Sequence, residues 1–138
     1  MTRLVLDTNV VISALVFEGP ANALVPAWQQ RQFTFLVSKA LLAEYIRVLH
    51  YPKFRLSLDE VRYLVDRQLL PFITPVAVGR TPRIVTADPA DDHVLACALA
   101  GKADAVVTGD RHLLVLRRYR DIPIISLAEL LKHPRRSP

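Results

Sequence analysis

Two apolar runs that each lead to an aspartate constrain the fold of this chain more than any other feature. Arg3–Leu6 is followed at once by Asp7, and Ala105–Val107 leads through two residues to Asp110. Short β-type runs of this kind are typical of the inner strands of a parallel sheet. Ligands of open α/β sheets bind at the carboxyl ends of the strands, near the point where the strand order reverses. We therefore expect the two carboxylates to share one site.

Strands and helices alternate along the rest of the chain. Further β-type runs lie at 33–37 and 72–78, and the two prolines of the second run favour a sheet edge. Helices are predicted at about 10–15, 21–32, 38–50, 57–70, 88–100, 112–116 and from 127 onward. Capping signals precede four of these helices: Asn9, Ser38, Ser57 with Glu60, and Ser126 with Glu129. The pattern predicts a parallel sheet covered on both faces by helices.

The length and charge of the chain limit the choice of function. With 138 residues it has the length of a single domain, which we place at 1–132, followed by a basic tail at 133–138 that we expect to be flexible. Its 18 basic and 13 acidic residues give a formal net charge of +5, which by itself favours polyanionic partners only weakly. Beside an acidic site, however, a basic surface suits a phosphodiester bound through metal ions.

The sequence shows little sign of export. Cys97 is the only cysteine, so no intrachain disulfide can form, and its apolar neighbours indicate a core residue. Residues 10–23 loosely resemble a signal peptide, but Asp7 and Asn9 interrupt the apolar run. The uncharged stretch between Asp7 and Glu18 is also far shorter than the roughly 20 residues needed to span a bilayer. We therefore expect a cytoplasmic protein without membrane association.

Three further carboxylates are candidates for the same site. Glu44 borders the apolar stripe of its predicted helix, where a solvated glutamate is the more ordinary interpretation, but the early turns of that helix lie over the sheet edge that carries Asp7. Asp91 and Asp92 fall in the first turn of an apolar helix, where aspartate also serves as a cap. We assign the cap to Asp91, or to Asp88 before it, and expect Asp92 to face the pocket, with an exchange of roles between the two neighbours as the alternative.

Such a cluster needs a cation unless some of its members are protonated. Two carboxylates about 5 Å apart repel by about 3 kcal/mol at an effective dielectric constant near 20, and four acids form six such pairs. That total approaches the whole stability of a domain, about 5–15 kcal/mol. Oxygen donors favour Mg²⁺ or Mn²⁺ over Zn²⁺, and we expect His93 and His112 at the surface rather than on a metal. Asn9 and Thr108 are expected to support the site through hydrogen bonds.

In this order and context, four segments resemble the PIN-domain family, and specifically the VapC-like toxins of toxin–antitoxin pairs. They are Leu6-Asp7-Thr8-Asn9-Val10, Glu44-Tyr45, Asp91-Asp92-His93-Val94-Leu95-Ala96-Cys97-Ala98 and Val107-Thr108-Gly109-Asp110. The resemblance runs from about residue 3 to residue 131. It implies a Rossmann-like, three-layer α/β/α sandwich with a central parallel sheet, a metal-dependent endoribonuclease activity, a homodimer and an antitoxin partner. It assigns the acidic quartet to Asp7, Glu44, Asp92 and Asp110.

On this hypothesis, Asp7, Asp92 and Asp110 hold one or two Mg²⁺ or Mn²⁺ ions, and Glu44 binds metal or orients the attacking water. Several arginines could follow the phosphates of an RNA substrate, although an exposed basic turn explains them equally well. These are Arg111, Arg117, Arg118 and Arg120.

Three other functions stay open at this point. A phosphatase of the haloacid-dehalogenase type also begins with a strand that ends in aspartate, but it needs a second aspartate where this chain has Asn9. A receiver-type domain expects its aspartate after the third strand, and residues 73–78 contain none. A PIN-like module that binds RNA or protein without cutting is the main alternative, although the presence of all four acids argues against it.

Overall fold

A six-stranded sheet forms the centre of the computed structural model, which describes residues 2–79 and 89–132. The strands are β1 (Arg3–Leu6), β2 (Thr34–Ser38), β3 (Ile73–Val76), β4 (Ala105–Val107), β5 (Arg118–Tyr119) and β6 (Ile122–Ile125). Their spatial order is β3-β2-β1-β4-β6-β5, and all neighbours are parallel except β5 and β6. The predicted parallel sheet is thus confirmed for the inner strands, while a short antiparallel edge makes the whole sheet mixed.

Helices flank this sheet in a three-layer α/β/α sandwich, as predicted. They are α1 (Thr8–Val16), α2 (Leu24–Gln29), α3 (Lys39–Leu49), α4 (Leu58–Tyr63), α5 (Pro89–Ala100), α6 (Arg111–Leu114) and α7 (Leu127–Lys132). Short 3₁₀ turns lie at Pro20–Ala23, Pro52–Phe54 and Leu70–Phe72, and α4 continues as a π-helical segment, Leu64–Leu69. Helix α5 packs directly on β1, β2 and β4, which explains why its body is apolar on every side.

Most of the predicted helix caps are present. The Ser38 hydroxyl accepts a hydrogen bond from the Leu41 N–H, and both capping boxes form as expected. The exception is α1, whose cap is Asp7 and not Asn9, because the helix begins directly after the strand. The candidate cap Asp88 and the tail 133–138 lie outside the described residues.

In the part of the chain that the structure describes, no single helix is long and apolar enough to cross a membrane. One pair of helical segments, Thr8–Val16 with Pro20–Gln29, has the combined length and apolar composition of a membrane span, but the two segments are bent by 88° relative to each other.

Candidate functional site

An acidic cavity of about 200 Å³ opens where β1 and β4 end. β1 has β2 on one side and β4 on the other, so the strand order reverses at this point of the sheet, where ligands of such folds bind. Asp7 follows β1, and Asp110 follows β4 after a two-residue extension. The residues that line the cavity are Asp7, Thr8, Asn9, Glu44, Val48, Tyr51, Lys53, Phe54, Asp91 and Asp110.

Three carboxylates in this cavity are close enough to share one cation. One oxygen from each of Asp7, Asp91 and Asp110 lies within 4.8 Å of the other two. Two oxygens bound to the same Mg²⁺ at about 2.1 Å can be at most about 4.2 Å apart, so a limit of 4.8 Å leaves only small side-chain movements between this arrangement and a shared ion. An all-carboxylate donor set suits a hard divalent cation such as Mg²⁺ or Mn²⁺. The residues present therefore fit the expected metal.

Asp91, and not Asp92, occupies the position in the cavity. Successive helical residues point about 100° apart, so only one of two neighbours can face the sheet. Asp91 is 6% exposed and lies on the same helix face as Val94 and Leu95, which are fully buried, whereas Asp92 is partly exposed and is not a member of the group. The expectation that Asp92 faces the pocket is wrong. The spacing from Asp91 to the two apolar residues was the available signal.

Thr108 links the carboxylate of Asp7 to the backbone of Asp110. Its hydroxyl donates to an oxygen of Asp7 at 2.6 Å and accepts from the backbone N–H of Asp110 at 3.0 Å. The other oxygen of Asp7 accepts from the Thr8 N–H, and Asp110 accepts from the His112 N–H, both at 2.8 Å. Both carboxylates therefore also cap the helices that follow their strands. Thr108 is fully buried and makes the contacts expected of it.

The peptide unit between Leu6 and Asp7 is held from both sides. The registered pairing of β1 with β2 ends at Leu4, whereas its pairing with β4 continues to Leu6. On the β4 side, the Asp7 N–H donates to the Val107 carbonyl at 2.9 Å. On the other side, the hydroxyl of Tyr45 in α3 donates to the Leu6 carbonyl. Burial raises the pKa of Tyr45, so this phenol stays protonated and can donate.

Glu44 lines the same cavity but lies outside the group of three carboxylates. Its side chain is 23% exposed and forms an ion pair with Arg47, one turn further along α3. The hydrogen bond and charge of Glu44 raise the pKa of Arg47. The expected quartet is therefore a trio with a fourth carboxylate on the wall, where it can face a substrate or water.

The other predicted site residues lie at the surface. Asn9 is exposed at the mouth of the cavity, and His93 and His112 are exposed as expected. The four arginines proposed to contact RNA are all exposed, and none lines the cavity: Arg111, Arg117, Arg118 and Arg120. Their role stays a prediction.

A larger cavity, about 500 Å³, lies between α3, α5 and the end of β3. Its described lining is mostly apolar and includes Ser38, Lys39 and His93 but no carboxylate. We place the candidate site in the smaller cavity because only that one combines clustered charge with the reversal of strand order.

Comparison with known proteins identifies the family. The family model described as the PIN domain matches residues 3–112, most of the chain. The chain belongs to the PIN-domain family. Among solved structures, the PIN domain is similar in fold to FitAcB from Neisseria gonorrhoeae, with 17% identity and a TM-score of 0.58 over 92% of this chain and 99% of that chain. The sequence matches no curated protein.

Metal binding should depend on Asp91 and not on Asp92. An ion that binds only the folded PIN domain, at about 100 times its Kd, stabilises it by about 2.7 kcal/mol, which for this size raises Tm by roughly 10 °C. We expect Mn²⁺ to produce such a shift in the wild type and in Asp92→Asn, and little or none in Asp91→Asn. Thermal unfolding in EDTA and in Mn²⁺ measures it. An equal shift in Asp91→Asn would contradict the proposed geometry.

Tyr45→Phe should disturb the position of Asp7 as well as the stability of the PIN domain. Removing the hydroxyl leaves the Leu6 carbonyl without this donor, which should cost about 1–3 kcal/mol in urea unfolding and weaken Mn²⁺ binding. Trp28→Phe is the matched control, because it removes a part-buried hydrogen bond to the Gln68 carbonyl and Trp28 does not line the acidic cavity. It should lower stability and leave the Mn²⁺ Kd unchanged. If both variants bind Mn²⁺ like the wild type, Tyr45 is only structural.

Proposed function

We propose that this PIN domain is an endoribonuclease that depends on Mg²⁺ or Mn²⁺, cuts single-stranded or structured RNA, and acts as the toxin of a toxin–antitoxin pair. The observation that carries the proposal is the convergence of Asp7, Asp91 and Asp110 within 4.8 Å at the end of the central strands. Membership of the PIN-domain family and the net charge of +5 support it. The earlier alternatives of a dehalogenase-type phosphatase and a receiver domain have no such support.

Asp7, Asp91 and Asp110 would hold the ion. When bound there, a divalent ion supplies Lewis acidity toward water and the phosphodiester, and it offsets the charge that develops on the phosphate. The protein's own contribution is to keep the three carboxylates in place. Asp7 is fixed through its peptide by Tyr45 and Val107 and through its side chain by Thr108, so little rearrangement is needed before reaction.

Glu44 is the group on the wall that can orient the attacking water or accept its proton. Arg47 holds the Glu44 side chain, and it also donates to the Tyr51 hydroxyl at 2.6 Å. Water is the nucleophile in this proposal, so no side chain needs to form a covalent intermediate. The exposed arginines from Arg111 to Arg120 would add charge for the RNA backbone beyond the cavity.

The resemblance to VapC-like toxins adds a cognate antitoxin as protein partner and a homodimer to the proposal. A cytoplasmic location, expected from the sequence, completes it. The single cysteine, Cys97, supports that location because a chain with one cysteine forms no intrachain disulfide.

Asp7→Asn should abolish the metal-dependent cleavage of single-stranded RNA while the fold persists. The loss should be roughly 100-fold or more, because Asp7 would be a direct ligand and even outer hydrogen-bond partners of a metal site contribute up to about 100-fold. Cleavage of a labelled RNA in Mg²⁺ or Mn²⁺, with circular dichroism as the check on folding, measures the effect.

Asp91→Asn should behave like Asp7→Asn, and Asp92→Asn is the matched control that should keep most of the activity. Undiminished cleavage by Asp7→Asn would refute the mechanism. If the wild-type protein binds Mn²⁺ but cuts no RNA, the non-catalytic binding module is the better description.

A further inference from the structure

An aromatic and basic turn borders the acidic cavity. Tyr51, Lys53 and Phe54 line the cavity together with the carboxylates. The Tyr51 N–H donates to the Val48 carbonyl at 3.0 Å, and the Phe54 N–H donates to the Tyr51 carbonyl at 3.1 Å. These bonds tie the turn to α3, the helix that carries Glu44, so its place beside the cavity is fixed by the backbone. Tyr51 lies two residues after Leu49, the last residue of α3.

The rings on this turn are only partly covered by the fold. Tyr51 is 37% exposed, and Phe54 is partly buried. Phe17, which directly follows α1, is 51% exposed and meets Phe54 edge to face, with ring centroids 5.8 Å apart. Full burial of a phenylalanine side chain stabilises a protein by about 1.5–3 kcal/mol, so the exposed part of these rings leaves some of that stabilisation unused. We call Phe17, Tyr51 and Phe54 the aromatic rim.

Two cations accompany the aromatic rim. The Lys53 ammonium lies 5.2 Å from the centroid of the Phe54 ring, and the Arg47 guanidinium lies 5.7 Å from that of Tyr51. Aromatic faces beside basic side chains are the combination by which proteins bind single-stranded nucleic acids, since each base offers a face for stacking and each phosphate a charge. In RNA such faces are available in single-stranded loops, bulges and ends, whose bases can be splayed out of the helical stack.

We propose that an unpaired base next to the cut phosphate stacks on the aromatic rim, while Lys53 contacts a neighbouring backbone phosphate. The inference rests on the proposed nuclease function and specifies its substrate as RNA that is single-stranded at the cut. Charge complementarity favours this occupant over a protein partner. The positive charge of Lys53 attracts the RNA phosphates, which the three negatively charged carboxylates in the same cavity repel.

The test uses variants that remove a ring and keep an apolar side chain. Phe17→Leu and Phe54→Leu are made in the Asp91→Asn protein, and a short single-stranded RNA that contains 2-aminopurine is the probe. One stacked base contributes about 5- to 150-fold in affinity. The protein that carries both Phe17→Leu and Phe54→Leu should therefore bind the RNA about 5- to 150-fold more weakly than the protein with Asp91→Asn alone, and it should change the 2-aminopurine fluorescence less. Phe17→Leu alone guards against misfolding, because Phe17 is largely exposed. Tyr63→Leu is the matched control, a ring that is 53% exposed but lines a different pocket, and it should change nothing.

Lys53→Gln tests the phosphate contact separately. It should weaken binding and reduce the salt dependence of log K by about 0.7, the value for one phosphate of a single strand, and Lys53→Arg should restore both. Unchanged binding and fluorescence in Phe17→Leu and Phe54→Leu would overturn the inference and leave a protein partner as the occupant of the rim. That result leaves cleavage by the wild type untouched. Conversely, stacking on the rim without cleavage by the wild type would contradict the nuclease function and not the rim.

Discussion

Mutual repulsion among three buried or half-buried carboxylates is the constraint on which the rest of the structure depends. Asp7, Asp91 and Asp110 bring oxygens within 4.8 Å of one another, and each such pair repels by about 3 kcal/mol at an effective dielectric constant near 20. Three pairs amount to a large share of the roughly 5–15 kcal/mol that stabilises a domain. Hydrogen bonds hold the side chains of Asp7 and Asp110 in place despite this repulsion, and a divalent cation bound among the three carboxylates would offset it.

The topology of the sheet explains how that site arises. β1 lies between β2 and β4, and its registered pairing with β2 stops two residues earlier than its pairing with β4. Beyond the end of this pairing, the Leu6 carbonyl accepts a hydrogen bond from Tyr45 in α3. The same helix presents Glu44 to the cavity and leads into the turn that carries the aromatic rim. One helix therefore contacts the peptide that leads into Asp7, carries the carboxylate proposed to orient water, and leads into the surface proposed for the base.

The parts of the fold that depend on local signals could be predicted from the sequence. The inner strands, the two capping boxes and the placement of Asp7 and Asp110 at strand ends follow from apolar runs and short-range hydrogen bonding. The choice of Asp92 over Asp91 was wrong because it depends on which side of α5 faces the sheet. The apolar residue four positions after Asp91, Leu95, indicates that side, whereas the mere presence of two neighbouring aspartates does not. The antiparallel pair of β5 and β6 was missed because β5 has only two residues and an arginine lies on either side of it. The contact between Tyr45 and Leu6 joins residues 39 positions apart, at the point where the pairing of β1 with β2 has ended. No local sequence pattern predicts such a contact.

Crystals of the protein grown or soaked with Mn²⁺ provide the most direct measurement, because the anomalous signal of manganese locates the ion itself. We predict a peak in the anomalous difference map among Asp7, Asp91 and Asp110, with a carboxylate oxygen of each roughly 2.0–2.3 Å from it. A peak bound by Asp92 instead, or no peak while the three carboxylates keep their positions, would contradict the central claim.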